Sequence, residues 1–330
     1  MKNQVNSFSK SHPIITQEYA IFTPPMEHMI KTIGDWIDQR VSGGYIYGPS
    51  RFGKSRTLKW FLRHELEQRY NCYIPLIIWI RKDSAMSEGE FWNQLLEASK
   101  YELSDPIKPK TKVVARSLFE KRIKTIADFS ECNYVVLVID EAHEVTLKEW
   151  KWLLGLQNNL DNEGIRLSIF SIASHSILFQ PNYLARTGNP HIAARFFAVD
   201  MRFDGIKRMK ELHYILQGYE EDSEWPENSN TTYFQYFAPN FYKEGKRLSN
   251  HTAIIWGAFE SLFPVELDVR KRTKISLEIP MQHIALTIEK VLRNLLDADS
   301  WDHIEDPNYW IEVIASTGFS RHMKMIVNPA

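Results

Sequence analysis

The run Gly48-Pro-Ser-Arg-Phe-Gly-Lys-Ser55 holds two glycines, a lysine and a hydroxyl at the spacing of a phosphate-cradling loop. Glycines let successive backbone N–H groups turn onto phosphate oxygens, the lysine brings a point charge to the β- and γ-phosphates, and the serine offers a hydroxyl to Mg²⁺. The expected nucleotide-binding set is Gly48, Pro49, Ser50, Arg51, Phe52, Gly53, Lys54, Ser55 and Arg56, helped by the positive end of the helix that follows. A second group, Asp140-Glu141, closes the apolar run Tyr134-Val-Val-Leu-Val-Ile139. Asp140 and Ser55 suit a metal site, and Glu141 is placed to orient and polarise an attacking water. A glutamate there favours hydrolysis over transfer to a substrate hydroxyl, so Glu141 and Lys54 are the expected catalytic pair.

Charge developing on the transferred phosphoryl group calls for a further cation, and an arginine finger contributes a rate factor of about 10³ to 10⁵. Arg195, in His191-Ile-Ala-Ala-Arg-Phe-Phe197, is the expected finger, reaching the site of a neighbouring copy; Arg186 is the other candidate. Ser174 and His175, at the tip of the fourth predicted strand, stand where the γ-phosphate would be sensed. The tetrad Asp140-Glu-Ala-His143 also spells the box of a helicase group. Those helicases need two recombinase-like lobes in one chain, and the stretch after the fifth strand is too short and too helical for the second. His143 is then expected to begin a helix near the site.

These residues need a scaffold with strand tips along one edge. The spacing of Met29, Ile30, Ile33, Trp36 and Ile37 predicts a helix from Met26 to Arg40, broken by Gly43-Gly44. A short strand Tyr45–Tyr47 enters the loop, a helix carries Leu58, Phe61, Leu62 and Leu66, and a strand covers 73–80. Helices over 88–100 and 113–127 precede the strand 134–139, which is apolar throughout, as it is when helices cover both faces of a sheet. Strands over 166–173 and 196–201 complete five, giving an α/β sandwich with a parallel sheet. Beyond Gly205 the pattern is helical, residues 218–242 fit no element, and 247–296 reads as a small helical domain. The expected division is an extended segment 1–25, whose first thirteen residues are polar and loose, a nucleotide-binding domain 26–215 and a helical region 216–330.

Composition sets outer limits. The 330 residues are 44% apolar and 25% charged, enough for one large core and an appendage. With 40 basic against 41 acidic residues, the chain does not coat nucleic acid through overall charge, although a local stripe escapes that count. Its two cysteines, Cys72 and Cys132, flank apolar runs and read as buried thiols of a reducing compartment. There is no leader-like apolar stretch and no membrane-length run, so a cytoplasmic protein without membrane contact is expected.

Walker loop, acidic strand end, polar fourth-strand tip and downstream arginine follow one another as they do in AAA+ ATPases, and the chain resembles that family. Within it the chain is most similar to the TniB/TnsC group of ATP-dependent transposition regulators, and more distantly to IstB and origin-initiator helpers. The similarity is carried by Ile21-Phe-Thr-Pro-Pro25, the loop 48–55, Leu137-Val-Ile-Asp-Glu-Ala-His143 and Ser168-Ile-Phe-Ser-Ile-Ala-Ser174, with a weaker echo in 252–259 and 275–284. It departs where the group often has glycines: Ser174-His175 and Leu248-Ser-Asn-His251 stand there instead. The resemblance implies an AAA+ αβα sandwich with a small C-terminal helical lid, using ATP and Mg²⁺ and assembling on duplex DNA as a ring or helical filament. It also implies a transposase as partner and a TniQ-like target-selecting adaptor, including one linked to a CRISPR effector. Lys108, Lys110 and Lys112 form a basic loop that an assembled ring would repeat, which turns a weak DNA-facing patch into a strong one. Arg270-Lys-Arg-Thr-Lys274 is a denser cluster suited to a linker or a partner. Competing readings are a helicase loader or initiator-like remodelling ATPase, which would show a recognition helix or helicase-binding arm, and a STAND-type signalling NTPase, which would carry sensor repeats.

Overall fold

The computed structural model describes residues 10–82, 86–130, 133–264, 267–268, 273–274 and 276–327. They form two compact units: His28–Ser50 with Lys54–Phe203, and the remainder, which joins the residues up to Glu27, Arg51–Gly53 and everything from Asp204 on.

The first of these is built on five parallel strands: β1 Gly43–Tyr47, β2 Leu76–Ile80, β3 Tyr134–Asp140, β4 Arg166–Ala173 and β5 Val199–Arg202, in the order β2-β3-β4-β1-β5. Every residue of β3 is buried. Val135, Leu137 and Ile139 on one face join a core with Phe91, Trp92, Phe119, Trp150 and Leu153 from the helices Glu88–Ala98, Lys112–Phe129 and Leu147–Asn162. Val136 and Val138 point to the opposite face and are buried as well, as are Leu58, Leu62 and Leu66 after the loop. That two-sided burial is why β3 reads as an unbroken apolar run. Capping boxes start two of the helices, Ser87 with Glu90 and Thr146 with Glu149.

Several expected boundaries move for identifiable reasons. The second strand starts at Leu76, after Pro75, and not at Tyr73; a proline donates no ladder hydrogen bond. Cys72, expected to be buried, is exposed, because it lies in the turn after the helix Leu62–Tyr70 and before that strand; Cys132 lies outside the described residues. Phe196-Phe197, read as the start of the fifth strand, ends the helix Pro190–Phe196 instead, and both rings pack against Trp150, with centroids 4.8 and 5.3 Å away. Pro190 at the first turn favours that helix.

The other unit is helical, from Met209–Gln217 through Thr252–Leu262 and Met281–Leu296 to Phe319–Val327. The segment 218–242, unassigned from sequence, forms a π-turn Gly218–Asp222 and the short helices Tyr233–Phe237 and Pro239–Lys243. Residues 10–23, expected to be loose or extended, are fastened to this unit. His12 caps the turn Pro13–Thr16 by accepting from the N–H of Ile14 at 3.0 Å, and its ring packs among Trp225, Tyr233, Tyr236 and Phe237. Tyr19 Oη donates to Glu289 Oε1 at 2.9 Å and Gln17 Nε2 to Glu289 Oε2 at 2.7 Å. Arg51, at the tip of the loop, donates to Gln282 Oε1 at 3.0 Å within this unit. Of the basic cluster 270–274, only the backbone of Thr273–Lys274 lies among the described residues, as a short antiparallel strand.

One charged pair sits deep in the sheet-bearing unit. Arg81 Nη2 donates to Glu149 Oε1 at 3.0 Å with side chains 0% and 1% exposed, while Glu149 Oε2 accepts from the N–H of Thr146 to close the capping box. Removing one partner of a buried pair strands the other charge and costs about 3–5 kcal/mol, whereas an apolar pair of similar volume is close to neutral. Glu149→Gln and Arg81→Ala are accordingly expected to lower the unfolding free energy by that amount in urea titrations. Arg81→Met with Glu149→Leu should recover most of it, and single variants within about 1 kcal/mol of the parent would contradict the assignment.

Candidate nucleotide site

Parallel register gathers the chemistry. β4 lies between β1 and β3, with Tyr47 paired to Ala173 and Asp140 to Ile172. Three turns therefore leave one edge of the sheet within about one residue of the same level: the loop after Tyr47, Glu141 after Asp140, and Ser174-His175 after Ala173. The N–H of Gly48 extends the ladder by donating to Ala173 O at 3.3 Å. A Cβ on Gly48 would stand 2.5 Å from Phe203 O, so the loop can leave the sheet here only at a glycine. Arg51 has φ +70° and Gly53 φ +120°, positive values two residues apart within the loop.

Lys54 is 9% exposed, and its Nζ donates to the carbonyls of Gly48 and Pro49, each at 2.8 Å. Burial pushes its pKa down to about 8, against the pull of Asp140 and Glu141, which favour the cation. Ser55, next to it, is exposed and Arg56 half-buried. Asp140 is buried, and its Oδ1 accepts from the N–H of Glu141 at 3.0 Å. A serine hydroxyl with a single carboxylate is the hard-oxygen set that Mg²⁺ uses beside substrate phosphates, so these residues fit that ion. Among the described residues no cluster of three or more His, Cys, Asp or Glu stands ready for an all-protein metal cage.

Glu141 adopts φ +56°, unusual for a residue with a Cβ, and its side chain is half exposed. His143, expected to open a helix, lies in the 3₁₀ turn Ala142–Glu144, with Nδ1 3.5 Å from Glu141 Oε2. Ser174 Oγ lies 2.7 Å from Ser176 Oγ, and the His175 ring meets Tyr47 edge-on at 5.5 Å. Arg195 is engaged within its own chain: Nε donates to Gln157 Oε1 at 3.1 Å and Nη2 pairs with Asp161. Arg186 is exposed at the end of the helix Gln180–Arg186. Of the three lysines, Lys108 and Lys110 occupy the loop before the helix Lys112–Phe129, where the N–H of Lys110 donates to Asn93 Oδ1 at 2.9 Å. Lys112 begins that helix and lies 3.5 Å from Glu88.

Two features of this edge went unread in the sequence. Arg81 follows β2 as Asp140 ends β3, and its N–H donates to Asp140 O at 3.0 Å. Its partner was foreshadowed by the capping spacing Thr146-x-x-Glu149, but nothing local told that the acid would also meet an arginine 68 positions upstream. The second is Gln180, whose Nε2 donates to His143 O at 3.1 Å.

The architecture is an AAA+ P-loop ATPase fold, an all-parallel five-stranded α/β sandwich with a helical C-terminal part. Residues 38–179 match the AAA domain family AAA_22. Among solved structures the chain is similar to Drosophila ORC bound to DNA, at 14% identity and a TM-score of 0.53, covering 91% of this chain and 68% of that one. It is also similar to a Walker-type ATPase of Pyrococcus abyssi, at 13% identity and a TM-score of 0.51, covering 91% and 74%. No curated protein matches the sequence. Among the described residues no helix is long and apolar enough to cross a membrane.

With the Lys54 pKa near 8, its cation is present below that pH and lost above it. Affinity for ATP, measured by calorimetry, is expected to fall about tenfold between pH 7 and pH 9. Lys54→Met should bind weakly with a flat profile over that range; a parent that binds as weakly as Lys54→Met would show that the ammonium does not bind phosphate, and a tight but flat parent profile would show that it does not titrate there.

Proposed function

We propose that the protein is an ATP-hydrolysing assembly switch for DNA transposition: it oligomerises on duplex DNA with ATP, links a TniQ-like target-selecting adaptor to a transposase, and is released by hydrolysis. The observation that carries the enzymatic part is the common edge of β1, β3 and β4. It brings Gly48 and the buried Lys54 to the edge that carries a carboxylate pair in which Asp140 is buried and Glu141 half exposed, which supports reading the loop as a phosphate cradle. In this reading Lys54 and the loop amides bind the β- and γ-phosphates, and Ser55 and Asp140 would hold Mg²⁺. That ion, when bound, neutralises charge building on the phosphate oxygens. Glu141 accepts a proton from the attacking water, and Ser174 or His175 responds to the γ-phosphate.

The regulatory part rests on the resemblance of the loop, the strand-end box and the fourth strand to the TniB/TnsC group. Lys108, Lys110 and Lys112 are the proposed DNA contacts, through repetition around an oligomer. Arg195 is the proposed trans-acting arginine, and that role requires it to leave Asp161 and Gln157 when copies meet. A second reading, an initiator-like DNA-remodelling ATPase, draws support from the likeness in fold to Drosophila ORC bound to DNA.

Glu141→Gln is expected to retain ATP binding, lose hydrolysis by about 10²- to 10⁴-fold and lengthen the lifetime of complexes on DNA, followed by phosphate release and by fluorescence anisotropy of labelled duplex. Normal turnover in that variant would remove Glu141 from the reaction. Lys54→Ala should abolish nucleotide-dependent DNA binding, and undiminished binding would end the switch reading.

A further inference from the structure

The turn after β3 holds more than a carboxylate. Glu141 opens a tight turn, Ala142–Glu144, closed by Glu144 N–H to Glu141 O at 3.0 Å and Val145 N–H to Ala142 O at 3.1 Å. Ala142 and Val145 are buried and pin the turn to the core. Its middle residue, His143, is held from the other side: Gln180 Nε2 donates to His143 O at 3.1 Å, and Gln180 Oε1 in turn accepts from Trp150 Nε1 at 3.3 Å. The imidazole lies between two acids, Nδ1 3.5 Å from Glu141 Oε2 and Nε2 3.6 Å from Glu144 Oε1. Nδ1 is fully buried yet makes no hydrogen bond. A buried polar atom left unpaired costs about 1–3 kcal/mol, so a site that keeps one has a use for it or completes it in another state.

We infer that His143 is a positioning residue for Glu141: its Nδ1 completes a hydrogen bond with the Glu141 carboxylate and so fixes where that carboxylate meets the attacking water. The inference rests on the hydrolysis reading above and names what governs its base. The geometry gives the ring two separable ends. Nδ1 serves Glu141, Nε2 serves Glu144, and only the first bears on chemistry. Glu141 needs such a support because its side chain is half exposed and its backbone sits in the left-handed region, so its own turn does not fix the carboxylate. Displacing a reacting group by about 1 Å costs roughly 10²-fold in rate. Losing the support therefore acts on kcat and leaves ATP binding, which the loop carries, in place.

The two ends can be tested apart because an asparagine amide reaches the place of Nδ1 and a glutamine amide that of Nε2. Steady-state ATP hydrolysis by the full chain is measured for His143→Asn, His143→Gln and His143→Ala, each also in a Glu141→Gln background. Expected are a kcat within about threefold of the parent for Asn, a fall of roughly ten- to a hundredfold for Gln and Ala, and a KM for ATP within about twofold throughout. In the Glu141→Gln background His143→Ala should cause no further loss. A residue that merely stabilised the turn would show no Asn-over-Gln order, so equal rates for the three variants overturn the inference, as does a glutamine better than the asparagine. Should Glu141→Gln alone hydrolyse ATP at the parental rate, the hydrolysis reading falls and this inference with it. A Glu141→Gln variant that is inactive beside His143 variants that behave as the parent overturns the inference alone.

Discussion

A parallel sheet buried on both faces leaves its strand ends as the places where backbone and polar side chains can reach a ligand, and the chemistry of this chain is arranged along one such edge. The constraint is register. Because β4 is hydrogen-bonded to β1 on one side and β3 on the other, the positions of Gly48, Glu141 and Ser174 are fixed to within about a residue before any side chain is considered. Slipping β3 by a single step would exchange the residues on its two buried faces, putting Val136 and Val138 where Leu137 and Ile139 pack against the helices, so that packing holds the register that the site requires.

Charge placement follows from the same edge. Lys54 is carried into a poorly hydrated position where two carbonyls satisfy its ammonium and Asp140 and Glu141 lie close enough to favour its charge. Behind them, Arg81 and Glu149 join the end of β2 to the start of the helix Leu147–Asn162, so the turn that carries Glu141 and His143 lies between two elements tied by a buried ion pair. Arg81 keeps Nε and Nη1 without hydrogen-bond partners in this arrangement. Its worth is in specifying geometry more than in net stability, which a well-packed apolar pair would supply as well.

Much of this edge was legible in the sequence, because its signals are local. The loop spacing, the apolar run of β3 with its acidic end, and the fourth strand at Arg166–Ala173 all depend on residues a few positions apart. What could not be read depends on long-range partners. The aromatic pair Phe196-Phe197 has the look of a strand until Trp150 is known to receive it. Residues up to 13 are polar enough to seem loose, and the stretch from Tyr19 seems merely extended, until Glu289 and the aromatic box around His12 appear more than 200 positions away. The short helices within 218–242 are fixed by burial of Tyr233, Phe234 and Phe237 rather than by a periodic pattern.

The central claim is that the loop is one half of a site completed when copies assemble on DNA. Arg195, held by Asp161 and Gln157 in its own chain, is free to serve a neighbour only if that contact is exchanged on assembly. The most direct test is negative-stain imaging of the purified chain with duplex DNA and a non-hydrolysable ATP analogue. The account predicts closed rings or helical filaments that depend on both DNA and nucleotide; isolated monomers under the same conditions would contradict it.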